Sequence, residues 1–292
     1  MSLAQSTLIT RIRRLLDDDP FEDRVTTSNH VVGSTVTVSD GTQWAVGNWG
    51  EYDETPYDQF LVRSIATHVL TVKNGHHNTT DTAHAIGVAI KKEPAYQGQQ
   101  VIQHIDSTIQ ELWPYAWKAV AGTVAPTTAI WYNGAATWMD LISATQLYGG
   151  SDQYVGFYGS RGSGYPIAFS RNIPATLCGS GVGLRFPNGF YDDTNDVNVT
   201  ARALITTTQT VSGTYDDLAD GLLAEVVAMG AAAKAVAAKD IPRVGEDTSV
   251  GDATVRPQDR IQTAAWFEAQ YRKLLHNYNL YLRSTAAPMG KY

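Results

Sequence analysis

Leu8, Ile12, Leu15 and Leu16 follow i, i+4, i+7, i+8 spacing, one apolar stripe of a helix, and predict a helix over residues 3–17. The run Asp17-Asp18-Asp19-Pro20 stops it. Proline cannot continue the hydrogen-bond ladder, its predecessor is biased out of helical geometry, and acidic groups at a helix C-terminus oppose the dipole. From residue 30 to 92 the period shortens. Val36–Val38, Gln43–Val46, Gln59–Val62 and Val69–Val72 are short β-rich runs separated by turn residues, and they predict four or five strands. Asp40-Gly41 and Asn74-Gly75 are expected as tight turns, because these residues reach positive φ cheaply. A barrel or open sheet of this size is small for an independent core, so it is expected to pack on a helix or a neighbour.

Helical periodicity returns over 96–121 through Val101, Ile105, Ile109, Leu112, Ala116 and Val120, with Pro114 expected to kink or break it. Residues 123–210 read as all-β. Gly149-Gly150, Arg161–Gly164, Gly179–Gly181 and Pro187–Gly189 punctuate short runs such as Tyr154–Tyr158, Ile167–Phe169, Val182–Phe186 and Val197–Thr206, a spacing that suits a sandwich or jelly roll. Two helices follow. Over 214–239, Tyr215, Leu218, Leu222, Val226, Met229, Ala233 and Val236 share a face, and the small residues from Ala224 to Ala232 allow close helix approach. Residues 240–256 read as a long polar loop. Phe267, Tyr271, Leu274, Tyr278 and Tyr281 then repeat 4-3-4-3 over 257–283, an aromatic stripe of the kind enriched at interfaces. Residues 284–292 have no apolar period and are expected to be disordered or ordered by a partner.

Composition sharpens this picture. Only 17% of the 292 residues are charged, against roughly 25% in an average soluble protein, and the shortfall is local. Segment 121–210 holds 12 of the 25 glycines, 12 of the 29 aromatics and nine charged residues, and no lysine occurs between Lys118 and Lys234. The net charge of −7 argues against a broad electrostatic grip on nucleic acid, which needs clustered Lys and Arg. A single cysteine, Cys178, excludes an intramolecular disulfide framework. No stretch reads as a membrane span, and Arg11, Arg13 and Arg14 are not followed by the apolar region of a secretory signal. The expectation is a soluble protein of the cell interior or of a particle assembled there.

Candidate chemistry is sparse. The sequence contains no Gly-x-x-x-x-Gly-Lys-Ser/Thr, no Gly-x-Gly-x-x-Gly after a strand and no Gly-x-Ser-x-Gly. Cys178 reads as a buried structural thiol. His68, His76, His77 and His84 fall in one hairpin-rich stretch with Asp81, but His76 and His77 would face opposite ways in a strand, and the group reads as solvated turn histidines rather than a metal site. Asp192–Asp196 could hold a calcium ion, yet it lacks a downstream bidentate glutamate and reads as a polar turn. Asp140, Asp152 and Asp193 show no spacing that marks a glycosidase pair. Trp131, Trp138, Phe157, Phe169 and Phe186 read as sandwich core, with sugar stacking as the competing reading. No enzyme activity, cofactor or metal is expected.

A family resemblance runs over 11–117. The residues that carry it are Arg11-Ile12-Arg13-Arg14-Leu15-Leu16-Asp17-Asp18, Val36–Trp44, Phe60–Ile65, Leu70–Gly75, Thr79-Thr80 and Ala83-His84-Ala85-Ile86-Gly87, followed by a helix ending in Leu112-Trp113-Pro114. This pattern resembles the neck proteins of long-tailed bacteriophages, especially head-to-tail adaptors (connectors) from phages of actinobacteria.

The resemblance implies a helical adaptor bundle with a small N-terminal β-barrel or sheet module; residues 123–210 depart from a plain helical adaptor and read as an inserted all-β sandwich, so the expected class is α+β. Its parts would be an N-terminal helix and linker (1–29), the β module (30–94), a helical adaptor domain (95–122 and 211–284), the inserted sandwich (123–210) and a C-terminal tail (285–292). It also implies a structural virion protein at the head–tail junction, assembled in the host cytoplasm. Such a homo-oligomeric ring, twelve copies by analogy, would bridge the portal protein to a downstream neck, stopper or tail-terminator ring. DNA would pass through it during ejection without specific binding, and no membrane would be involved. The candidate portal or subunit interface is Phe267, Tyr271, Leu274, Tyr278, Tyr281, Arg283, Met289 and Tyr292. The alternative is a tail or baseplate protein whose β-sandwich binds a host-surface glycan.

Overall fold

The fold is that of a computed structural model, which describes residues 3–18, 20–26, 35–124, 131–148, 151–156, 168–185, 196–206, 214–218, 221–240, 248–250, 253–255 and 257–285. Of these, 145–156, 240, 248–261 and 285 are described by backbone alone. In chain order the elements are β1 (Leu3–Ala4), α1 (Gln5–Leu15), β2 (Glu22–Arg24), β3 (Thr35–Thr37), β4 (Trp49–Tyr52), β5 (Gln59–Ala66), β6 (Val69–Asn74), β7 (Ala89–Lys92) and α2 (Gly98–Glu111). Then come β8 (Lys118–Val124), β9 (Tyr132–Asn133), β10 (Trp138–Tyr148), β11 (Ser151–Gly156), β12 (Ala168–Arg171), β13 (Val182–Arg185) and β14 (Val197–Ala203). The chain ends with β15 (Thr214–Tyr215), α3 (Gly221–Asp240), β16 (Thr248–Val250), β17 (Ala253–Val255) and α4 (Pro257–Thr285). These elements fall into two units, Met1–Glu111 with Thr207–Leu275, and Leu112–Thr206 with His276–Tyr292.

In the first unit, six antiparallel strands lie in the order β2-β7-β4-β5-β6-β3. The sheet curls until its two edges touch through a bridge between Val25 and Val38. Asp23 stitches that seam: its carboxylate accepts from Ser39 N–H (2.9 Å), from the Ser39 hydroxyl and from Trp44 Nε1 (2.8 Å). Burial opposes the Asp23 charge, but these hydrogen bonds win and hold its carboxyl below the usual range. Inside the curl lie Val36, Val62, Leu70, Ile90, Trp44 and Phe60.

Helices α1, α2 and α3 pack on one another in the same unit. Leu8, Ile9 and Ile12 of α1 are fully buried, as are Val101, Ile105 and Ile109 of α2. The alanine-rich α3 has the length and apolar character of a membrane-crossing helix, but here most of it is buried against protein. Its Gly230 allows the closest approach. A Cβ there would stand 2.5 Å from Thr108 of α2 and 2.9 Å from Tyr271 of α4.

The helical adaptor bundle implied by the resemblance is not what the chain forms. The α+β class holds, but antiparallel sheets dominate, and the helices share a unit with the curled sheet rather than standing as a bundle. The physical reason lies in their buried polar groups. Arg13 of α1 and the first N–H of α2 both bond to Glu51 of β4, so these helices are fastened to the sheet. Apolar periodicity marks which face of a helix is buried and says nothing of what buries it.

In the second unit a four-stranded sheet, β11-β10-β14-β8, and a three-stranded sheet, β12-β13-β9, share one core. Val124, Trp138, Leu141 and Val199 come from the first, and Tyr132, Val182 and Leu184 from the second. Two glycines make room for Trp138. A Cβ on Gly122 or Gly134 would meet its ring at 2.6 or 2.8 Å.

Several local expectations shift. The helix expected over 96–121 ends at Glu111, and residues 118–121 belong to β8, because Pro114 stops the ladder and Lys118–Val124 then pairs with β14. The expected strand at 43–46 is replaced by a 3-10 turn over Gly41–Gln43, with the Asp40 side chain accepting from Thr42 N–H. Thr214 and Tyr215 pair with Ala4 and Leu3 instead of starting α3, and Tyr215 donates its hydroxyl to Asp106 (3.2 Å). A short hairpin, β16–β17, occupies part of the expected loop.

Candidate functional site

The densest set of buried polar groups joins α1 to the sheet. Arg13 lies on the buried side of α1, next to Ile12, and its side chain is 4% exposed. Its Nη2 meets Glu51 Oε1 at 2.5 Å, and Nε and Nη2 donate to the Tyr96 carbonyl at 3.1 and 2.9 Å. The other Glu51 oxygen accepts from Gln59 Nε2 (2.8 Å) and from the Gly98 N–H that opens α2 (2.9 Å). Burial pushes the Glu51 carboxyl up, and Arg13 with these donors pulls it partly back. Asp18, just past α1, accepts from the N–H groups of Ala95 and Tyr96 at 3.0 Å each. The arrangement is a fastener: Arg13, Glu51 and Asp18 each bond to another part of the same unit.

A second buried cluster centres on His84. Nδ1 meets Glu54 Oε1 at 2.5 Å, and Nε2 lies 3.3 Å from Asp58 Oδ2, which also accepts from Thr82. The ring stacks on Tyr52 at 3.7 Å. Both ring nitrogens face carboxylates, so the imidazolium is the matched form and no nitrogen is left as a general base. Burial opposes the His84 charge, but Asp58 and Glu54 outweigh it and raise the pKa. Burial likewise opposes the Asp58 charge, and its bonds to His84 and Thr82 win, lowering its pKa.

The signs give a pH window. The His84 contribution is complete below the unfolded histidine value, about 6.5, and is lost as pH rises through the higher folded value. The Asp58 contribution is present above about 3.9 and is lost as pH falls through its lower folded value. Stability measured by urea unfolding is therefore expected to decline as pH rises above about 6.5. His84→Gln should flatten that decline and lower stability at pH 6 by about 1.5–3 kcal/mol, the range for hydrogen bonds to charged groups. An unchanged slope in the variant would assign the pH dependence elsewhere.

The other histidines do not join this cluster. His68 Nδ1 accepts from Gly41 N–H at 3.2 Å. His76 and His77 do not point to opposite faces, because they sit in a 3-10 turn rather than a strand. Their rings are 3.8 Å apart, and His77 meets Trp49 edge-on at 5.1 Å. Asp81 accepts from Asn74 at 2.8 Å. Among the described residues, no three His, Cys, Asp or Glu side chains are grouped to hold a metal ion. Cys178 is buried, with Sγ 2.9 Å from both Asn133 Oδ1 and the Val182 carbonyl. Asp140 pairs with Arg202 at 3.2 Å across neighbouring strands. The side chains of Asp152 and Asp193, and residues 192–195 of the acidic run, lie outside the described residues. Trp138 and Tyr132 are core, while Trp131 is half-buried.

The aromatic stripe of α4 is divided. Phe267, Tyr271 and Tyr278 are buried within the chain and present no surface to a partner; burial lifts the Tyr271 hydroxyl to about 12. Leu274 is half-buried, Arg283 is exposed, and Met289 and Tyr292 lie outside the described residues. What α4 presents outward in the second unit is Leu280 (51% exposed) and Tyr281 (48%). Asn279, beside them, donates to the carbonyl of Tyr115, itself 56% exposed. Tyr115, Leu280 and Tyr281 are thus large exposed hydrophobic side chains of the second unit, near the Asn279–Tyr115 bond in sequence.

Sequence reasoning missed the Arg13–Glu51 and His84 clusters and Tyr115. One signal was available, an arginine at position 13 directly after Ile12 of the apolar stripe; the partners come from distant segments and leave no local trace. The sequence matches no protein-family model, and no curated protein matches it.

Proposed function

We propose that the chain is a structural protein of a bacteriophage virion, one copy of a homo-oligomeric ring at the head–tail junction. In this reading the ring docks on the portal protein, carries the next neck or tail ring, and lets DNA pass without holding it. The reading does not require a helical bundle.

The observation that supports it is where the resembling residues sit. Arg13 and Asp18 fasten α1 to β4 and to the entry of α2. Trp44 closes the sheet seam through Asp23. Gly75 takes the left-handed turn after β6, with φ +68°. Thr79 Oγ1 accepts from Gln59 N–H at 2.9 Å, and His84 sits in its carboxylate clamp. The residues that carry the resemblance are thus framework residues of this unit, and that supports the reading of a structural building block. A net charge of −7 agrees with a conduit that repels phosphate.

The contact surface in this reading includes Tyr115, Leu280 and Tyr281, large apolar groups that a partner would bury. Mass photometry of the chain alone and with a portal ring is expected to give an assembly of ring stoichiometry. The double variant Leu280→Ser/Tyr281→Ser, with an unchanged melting temperature, should weaken that assembly by at least about tenfold, the loss of about 1.4 kcal/mol. Persistence of the chain as a monomer in both mixtures would refute the proposal.

A further inference from the structure

The sequence argues against a metal ion at His76 and His77 because a strand would point their rings to opposite faces. The chain turns there instead. Gly75, His77 and Asn78 have left-handed backbone, with φ of +68°, +51° and +64°. Thr79 closes the turn: its N–H and its hydroxyl both donate to the His76 carbonyl, at 3.2 and 2.9 Å. Backbone strain of this kind, about 1–3 kcal/mol for a non-glycine residue, clusters at functional sites. Here it sets two imidazoles side by side, with centroids 3.8 Å apart and ring planes inclined at 46°. His77 is exposed and His76 half-buried. Inclined rings, unlike a parallel stack, can aim one nitrogen each at a common point.

Buried hydrogen bonds fix the nitrogen that His77 offers. Its Nδ1 lies 2.8 Å from Gln59 Oε1. Gln59 is buried, and its Nε2 donates to Glu51 Oε2 at 2.8 Å. The Glu51 carboxylate is ion-paired with Arg13 and only accepts, so the amide nitrogen of Gln59 faces Glu51 and its oxygen faces His77. His77 therefore carries its proton on Nδ1 and keeps its lone pair on Nε2. An imidazole that donates its second N–H to a protein oxygen is the usual arrangement of a metal-bound histidine. Among the described residues no third His, Cys, Asp or Glu joins the pair, so water completes the coordination. The two rings match an exchangeable ion rather than a structural zinc, which takes four protein ligands.

We propose that His76 and His77 together bind a divalent transition-metal ion, copper(II) most tightly, through one nitrogen of each ring. Imidazole suits copper, nickel and zinc alike, and copper(II) ranks highest among them for a given nitrogen site. The proposal does not depend on the virion reading. Trp49 is the reporter, with its ring 5.1 Å from His77 and 6.1 Å from His76. Isothermal titration of the full chain at roughly pH 7.5, about one unit above the ordinary histidine value, with copper(II), nickel(II) and zinc(II) chlorides measures affinity, and tryptophan fluorescence follows the copper titration. Copper is expected to bind more tightly than nickel or zinc, with quenching that Trp49→Phe largely removes while the affinity stays. His76→Ala and His77→Gln should each weaken copper binding at least about tenfold; the glutamine keeps an N–H for Gln59 but has no imidazole. His68→Ala, at an exposed position at the other end of β6, should leave binding unchanged. Absence of copper binding, undiminished binding by either pair variant, or an equal loss in His68→Ala would overturn the assignment. So would copper binding that leaves Trp49 unquenched in the unaltered chain, a result that does not depend on how the variants fold.

Discussion

Replacing Arg13 with alanine is expected to destabilise the chain by about 3–5 kcal/mol, the usual cost of leaving one partner of a buried ion pair alone. Glu51 is fully buried, so the variant strands a carboxylate with only Gln59 and the Gly98 N–H to satisfy it. The remaining stability should then rise as pH falls and Glu51 takes up a proton. The double variant Arg13→Met/Glu51→Gln should recover much of the loss, because no uncompensated charge stays inside. Urea unfolding of the unaltered chain, the single variant and the double variant at pH 5 and pH 8 measures all three effects. A loss below about 1 kcal/mol in Arg13→Ala would mean that α1 is held by its apolar face alone and that the fastener carries little.

The second large effect is expected at Gly41. A Cβ there would stand 1.8 Å from the Thr67 carbonyl oxygen and 3.0 Å from His68 Cα, so the clash is with backbone that no rotamer change relieves. This turn also bonds to the β5–β6 hairpin, through Gly41 N–H to His68 and Val38 N–H to the His68 carbonyl. Gly41→Ala should therefore cost about 3 kcal/mol, at the upper end of overpacking, and loosen the seam near Asp23. Gly87 is the comparison. Its φ is +93°, but nothing stands within 4 Å of an added Cβ, so Gly87→Ala should cost only about 1–2 kcal/mol of backbone strain. Thermal melts of the two variants order the effects. Equal losses would show that the backbone at Thr67 and His68 gives way to a side chain at residue 41 and that the close approach carries little.

That pair illustrates how far the sequence could be read. Asp40-Gly41 and Asn74-Gly75 look alike as turn signals, and both do form turns. Gly75 is there for its positive φ, while Gly41 is there because a distant strand end passes too close for a side chain. The first reason is local and legible, and the second is not. The same division runs through α4. Its 4-3-4-3 aromatic spacing correctly marks a helix, but an interface and a core produce the same stripe. Only the packing places Phe267, Tyr271 and Tyr278 inside and leaves Leu280 and Tyr281 out. His84 was legible as part of a resemblance and illegible as chemistry, because Glu54 and Asp58 are brought to it by a turn before β5.

The sequence by itself determined the elements whose cause is local: the apolar stripes of the helices, the stops at Pro20 and Pro114, the β character of the described residues between 123 and 206 and the uneven distribution of charge. These follow from side-chain period and backbone stereochemistry, which act over a few residues. The tertiary structure decided what those elements are fastened to. It curled the first sheet until Val25 met Val38, drew α1 and α2 onto β4 through Glu51, and thereby replaced a helical bundle with helices laid against a sheet. The reason is that a buried charge must find its partner wherever the chain supplies one. Arg13 and Glu51 are 38 residues apart, a separation over which no local pattern in the sequence carries information.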